Sequence, residues 1–236
     1  MIDALTRRSF LWGSAAALAL GETRMPVLDA FDHLLLGVSD LDHGIDWFER
    51  RAGVRAAIGG VHPGQGTRNA LLSLGGVHYL EIIALDPAQT EGDRRAQISA
   101  LSEPRLIHFA LKTNDMDGAA NKLRRAGVHA IGARDGSRRT ASGELLRWKV
   151  LGVESRFESD GVNPIPFFIE WASDSVHPSK NAPAGCVIDD LRFEHPRADE
   201  LGATLRAIGV EANVTPADRA RILANIRAPK GRLELA

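Results

Sequence analysis

One pentapeptide occurs twice in this chain, and that repeat limits its possible folds more than any other feature. Arg50-Arg51-Ala52-Gly53-Val54 returns letter for letter as Arg124-Arg125-Ala126-Gly127-Val128. His33 stands twenty residues before Gly53, and His108 nineteen before Gly127, each inside a short apolar run. Matching landmarks at matching spacing mark an internal duplication. Each copy must therefore be a supersecondary unit that packs against its twin.

The apolar pattern gives the content of the unit. Ala30 to Val38 reads as a buried strand. A helix follows, with Ser39 as its predicted N-cap, Leu41, Ile45, Phe48 and Ala52 on one face, and Gly53 as its stop. Strands are expected near Val54 to Gly59, Thr67 to Leu74 and Val77 to Leu85, with Gly75-Gly76 turning the last hairpin. The order is βαβββ. After a linking helix around Glu91 to Leu101 the pattern restarts at Leu106. Asn114 is the predicted cap of a helix through Ala126, strands follow near Gly143 to Val150 and Ile165 to Ser173, and Glu154 to Asn163 forms an irregular loop. From Cys186 a third, degenerate βαβββ-like copy follows, in which Asp189 or Asp190 falls where the histidine stood. It reads as an extension of the sheet or a dimer contact. The expected class is α+β, with units at 26–104, 105–184 and 185–236 after a leader at 1–25.

Function classes narrow quickly. A net charge of −1 over 236 residues, with no long basic run, gives no electrostatic footprint for nucleic acid. A small-molecule partner fits better. Cys186 is the sole cysteine, so neither an internal disulfide framework nor a cysteine-based metal cluster is available. No run after the leader is long enough to span a bilayer. Thr6-Arg7-Arg8-Ser9-Phe10-Leu11 and the small apolar segment after it resemble a twin-arginine export signal, which implies a periplasmic protein. Translation from Met25 would leave it in the cytoplasm.

The two copies also share chemistry. Tyr79-Leu80-Glu81-Ile82 and Phe168-Ile169-Glu170-Trp171 each place one carboxylate in an apolar strand, and an unpaired buried carboxylate is costly. Two imidazoles and two carboxylates (His33, Glu81, His108 and Glu170) carry the charge and donor types for one divalent ion: zinc, nickel, manganese or iron(II). Salt bridges from Arg68, Arg147 or Lys149 are the structural alternative. Strand alternation puts Tyr79 beside Glu81 and Phe168 beside Glu170 as pocket walls, turns Trp171 into packing, and leaves room for a ligand over Gly37 and Ala110. His62, Thr67, Arg68 and Asn69, where a turn-rich loop enters a strand, are candidate substrate contacts, as is Trp148. His177 is a candidate lid or supporting residue. The charges at Arg94-Arg95 and Arg138-Arg139 read as solvated surface.

From about Leu28 onward these residues resemble the vicinal oxygen chelate superfamily, in its glyoxalase-like branch. The resemblance rests on Asp32-His33, His62-Pro63 through Leu71, Tyr79-Leu80-Glu81, Gly143 with Leu146 and Trp148, and Pro166 to Trp171. It implies paired βαβββ units curled into an open half-barrel, with the metal ligands on the first and last strand of each unit. It also implies a metal-dependent lyase or isomerase that stabilises an enediolate of a small carbonyl compound, with Glu170, or Glu81 by symmetry, as the base. A non-catalytic protein sequestering an antibiotic-like compound and a ring-cleaving dioxygenase are the competing expectations.

Overall fold

The computed structural model describes residues 24–92, 94–140 and 143–236. The expected export signal lies outside the described residues, apart from its end. Its elements are, in order, β1 (Met25–Pro26), α1 (Val27–Ala30), β2 (Phe31–Gly37), α2 (Leu41–Ala52), β3 (Ala57–His62), β4 (Thr67–Ser73) and β5 (Tyr79–Leu85). Next come α3 (Arg95–Ser99), β6 (Arg105–Lys112), α4 (Met116–Arg125), β7 (His129–Arg139), β8 (Leu145–Glu154), β9 (Phe167–Trp171) and α5 (Pro178–Asn181). The chain closes with β10 (Val187–His195), α6 (Ala198–Ala207), β11 (Val210–Glu211), β12 (Asn213–Pro216), β13 (Arg221–Ala228) and β14 (Gly231–Leu235).

The duplication appears directly in the main sheet, whose strand order is β3-β4-β5-β2-β6-β9-β8-β7. Each first strand lies parallel to the last strand of its own unit, β2 on β5 and β6 on β9. The two first strands pair antiparallel at the centre. Both units therefore complete one curled sheet within a single chain, the half-barrel that the resemblance implies. Across its open seam Arg138 of β7 donates to the carbonyl of Gly59 on β3.

Alternation decides what each face does. Leu34, Leu36, Phe109, Leu111 and Phe168 enter the large core on the outer face, where α2 and α4 pack. Burying one such side chain contributes about 2 kcal/mol. Each helix is capped one residue later than predicted: Asp40 accepts from the His43 amide and Asp115 from that of Gly118, both at 2.8 Å. Gly53 ends α2 at φ 80°, a conformation that glycine adopts without steric cost.

Two parts of the fold depart from the sequence reading. The third copy makes its own sheet, of order β12-β10-β13-β14, rather than extending the first. It covers the outer face, with Phe193 against Phe109 at 5.1 Å between ring centroids. The second unit also holds an unexpected eleven-residue strand, β7. As a mostly exposed edge strand it needs no apolar alternation to mark it. No helix among the described residues is long and apolar enough to cross a membrane.

Candidate active site

The inner face of the sheet surrounds a cavity of about 270 Å³. On one side β2, β3, β4 and β5 present His33, His62, Asn69, Tyr79 and Glu81. On the other, β8 and β9 present Trp148, Val150, Phe167, Ile169 and Trp171, while Arg94 and Arg138 complete the wall.

His33 is the most firmly oriented of these groups. The central pairing skips Asp32, a bulge between Phe31 and His33. Such a bulge re-aims neighbouring side chains, and here Asp32 and His33 meet. His33 donates through Nδ1 to Asp32 Oδ1 at 2.7 Å, because a carboxylate only accepts. Asp32 also accepts from His177 Nε2 at 3.0 Å and from Trp171 Nε1 at 3.2 Å. Burial would raise its pKa, but the hydrogen bonds from His177 and His33 outweigh burial and hold the carboxyl well below the usual range. Fixed in this way and stacked on Tyr79 at 4.5 Å, His33 turns its Nε2 toward Glu81 Oε2 at 3.5 Å.

Glu81 is kept charged by its surroundings. Burial again opposes the charge, yet His62, His33, the Asn69 amide and Arg94 together lower its pKa. Asn69 Nδ2 donates to Glu81 Oε1 at 2.7 Å and lies 3.2 Å from His62 Nε2. His62 is therefore an acceptor at Nε2 and donates from Nδ1 to Thr67 Oγ1 at 2.8 Å. Burial lowers its pKa, consistent with this neutral form.

Residues 31–209 match the Glyoxalase-like domain family. The chain belongs to that family. Among solved structures, this glyoxalase-like chain is similar to a hypothetical protein from Staphylococcus aureus, with TM-score 0.65 at 15% identity over 87% of this chain and 98% of that one. Weaker likenesses are a methylmalonyl-CoA epimerase in complex with methylmalonyl-CoA and NH4+ (TM-score 0.43, 21% identity, 62% of this chain and 96% of that one) and a methylmalonyl-CoA epimerase from Mycobacterium tuberculosis (0.40, 21%, 66% and 92%). A search of curated proteins gave no match.

The divalent metal implied for a glyoxalase-like domain was expected on His33, Glu81, His108 and Glu170. The structure does not bring these four together. Only His33 and Glu81 face the cavity. Glu170 pairs in register with Lys149, and Phe168 with Leu151, on the face opposite Val150 and Ile169. Shifting a strand reading by one residue exchanges its faces, so Phe168 belongs to the core while Phe167 and Trp171 face the ligand space. His108 donates from Nε2 to the Ile165 carbonyl at 2.8 Å, and its Nδ1 lies 3.4 Å from Arg94 Nη2. Burial pushes its pKa down to about 3, leaving a neutral structural imidazole. Among the described residues no three His, Cys, Asp or Glu side chains are grouped to hold an ion. The proposed donor set does not fit the metal.

The other site expectations divide. His62, Asn69, Tyr79 and Trp148 lie on the cavity wall, and Thr67 sits behind it, bonded to His62. Arg68 points away, 3.9 Å from Asp40 at the start of α2. Gly37 is small for packing reasons: a Cβ there would stand 2.7 Å from Leu101. Ala110 likewise belongs to the small core beneath the cavity. Sequence reading missed Asp32, Arg94 and Arg138. Asp32 was legible only as the neighbour of His33, while the two arginines sit within double-arginine pairs that look like ordinary surface charge.

Proposed function

We propose that this glyoxalase-like domain is a proton-transfer enzyme of lyase or isomerase type acting on a small oxygenated carbonyl compound. The supporting observation is the Asp32-His33-Glu81 series, which ends in Nε2 and Oε2 placed 3.5 Å apart at the cavity wall. Glu81, held charged, is in its base form at neutral pH and removes the proton next to the carbonyl. The proton then passes from Glu81 Oε2 to the unprotonated Nε2 of His33, and His33, oriented by Asp32, delivers it at the neighbouring position and returns to its neutral form. Arg94, on the same wall, offsets the negative charge that develops on the carbonyl oxygen.

This scheme uses the protein's own groups. The test is deuterium exchange at the carbon next to the carbonyl, screened over α-oxoaldehydes and oxo acids with and without thiols. Exchange that is lost in both E81Q and H33A supports the proposal. Exchange that survives E81Q sinks it. Metal analysis of protein purified without chelator gives a second check: about one bound equivalent, lost in E81Q, would return the reaction to an ion.

A second reading is supported by the opposite wall, where Trp148 and Trp171 stand 5.5 Å apart and Phe167 and Ile169 complete an apolar surface. Such a wall suits a protein that sequesters a flat, apolar compound. That function gives stoichiometric binding without turnover and tolerates E81Q.

A further inference from the structure

The proposed chemistry leaves one cavity group unexplained. Arg138 is only 8% exposed, yet it comes from the end of an edge strand and reaches into the cavity. Among the described residues its hydrogen-bond partner is the Gly59 carbonyl, and it is in no ion pair. A guanidinium has five N–H donors in a planar fork, so most of its donor capacity remains for something else. Buried charges are ordinarily paired, because an uncompensated one is expensive.

Glu81 attracts Arg138 without forming an ion pair with it, and over the cavity lining as a whole cations outnumber carboxylates. Arg94, Arg134 and Arg138 line the cavity against two carboxylates, Glu81 and Asp135. Arg94 is anchored by Gln97 Oε1 at 3.1 Å and by the His108 contact, so a second guanidinium is held in place on the same wall. We infer that Arg138 is the seat of a carboxylate on the ligand, so that the site takes oxo acids in preference to neutral aldehydes or ketones. A planar carboxylate matches the arginine fork through two parallel hydrogen bonds, which a neutral amide of the same size does not reproduce. The carbonyl part of this assignment rests on the proton-transfer reading; the anion seat is measurable by binding alone.

The experiment is calorimetric titration of the full chain with pyruvate and with pyruvamide, which differ in the charge of one group. The wild-type protein is expected to bind the acid at least about tenfold more tightly, as a charge-assisted pair supplies. R138Q should bring the two affinities together by weakening pyruvate alone, and R138K should restore part of the difference. Unchanged pyruvamide binding in R138Q distinguishes a lost contact from a damaged fold. E81Q should keep the preference for the acid while losing proton exchange, so the two proposals fail separately. Equal wild-type affinities, a preference that survives R138Q, or no pyruvate binding at millimolar concentration would each overturn the assignment.

Discussion

The two halves of the main sheet have the same strand order and opposite chemistry. In the first half, β2, β4 and β5 turn His33, Asn69, Tyr79 and Glu81 inward around a charged carboxylate. In the second, β9 turns Phe167, Ile169 and Trp171 inward, and its one carboxylate, Glu170, faces the other way. Even the paired histidines differ: His33 faces Glu81 across the cavity wall, whereas His108 spends its Nε2 on a backbone carbonyl. Duplication thus preserved the scaffold while reactive groups gathered in one half and shape and apolar surface in the other. A repeated sequence position is not a repeated role.

The largest expected effect tests this asymmetry directly. E81Q should lower the rate of proton exchange by about 10²- to 10⁴-fold, the usual contribution of a positioned base. Glu170→Gln should change it by less than about twofold, within the small effects typical away from such features. Equal losses in the two variants would restore a symmetric site. The next effect concerns stability. Phe168→Ala should cost about 3 to 5 kcal/mol in urea denaturation, as for other large aromatic truncations in cores. A small cost accompanied by lost ligand binding would mean that Phe168, and not Phe167, faces the cavity.

These two variants also mark how far the sequence could be read. The βαβββ duplication was legible because Arg50 to Val54 returns as Arg124 to Val128 at a matching distance from His33 and His108, and because strand alternation puts Leu34, Leu36, Phe109 and Leu111 on one buried face. Tyr79 and Glu81 were legible for the same reason. The strand Phe167 to Trp171 was not, since Phe168 and Glu170 make as plausible an inner face as Phe167, Ile169 and Trp171 when nearly every residue is apolar. Its register is fixed by pairing with Ala110 and with Val150, partners that lie far away in sequence. Arg138 was hidden for a related reason. A long side chain at the end of an exposed strand looks solvated until the opposite edge, at Gly59, closes over it.

The contrast between the histidines predicts a pH signature. The folded-state pKa of His108 is depressed to about 3 from an ordinary 6.5. As pH falls below 6.5 the unfolded chain takes up this proton while the folded chain does not. Stability is therefore fully present above pH 6.5 and declines down to about pH 3, by at most about 1.4 kcal/mol per pH unit. His108→Gln keeps an N–H donor for the Ile165 carbonyl but does not titrate, so its stability should fall less over that window. Asp32, whose pKa is also depressed, contributes stability above its ordinary 3.8 and loses it at lower pH. That lower limb should persist in His108→Gln. Denaturant midpoints measured from pH 7 to pH 3 decide the point, and parallel wild-type and variant profiles would contradict it.

The smallest effect examines the apolar wall. Gly136 pairs across the strands with Trp148, and a Cβ at position 136 would lie 2.4 Å from Trp148 Nε1. The indole thus lies over the glycine, where only a hydrogen leaves room. Gly136→Ala forces the ring toward Trp171, whose centroid is 5.5 Å away, and so into the cavity that both rings line. Sub-ångström to ångström displacements of a packed aromatic change binding far more than they change the hydrogen bonding of an edge strand. The expected result is a several-fold loss of ligand affinity and a shifted tryptophan emission, with a melting temperature close to that of the wild-type protein. Proton exchange at saturating substrate should change little, because His33 and Glu81 belong to the other half. A variant that instead lost exchange while binding normally would show that the aromatic wall positions the reacting carbon, and would break the division of labour between the halves.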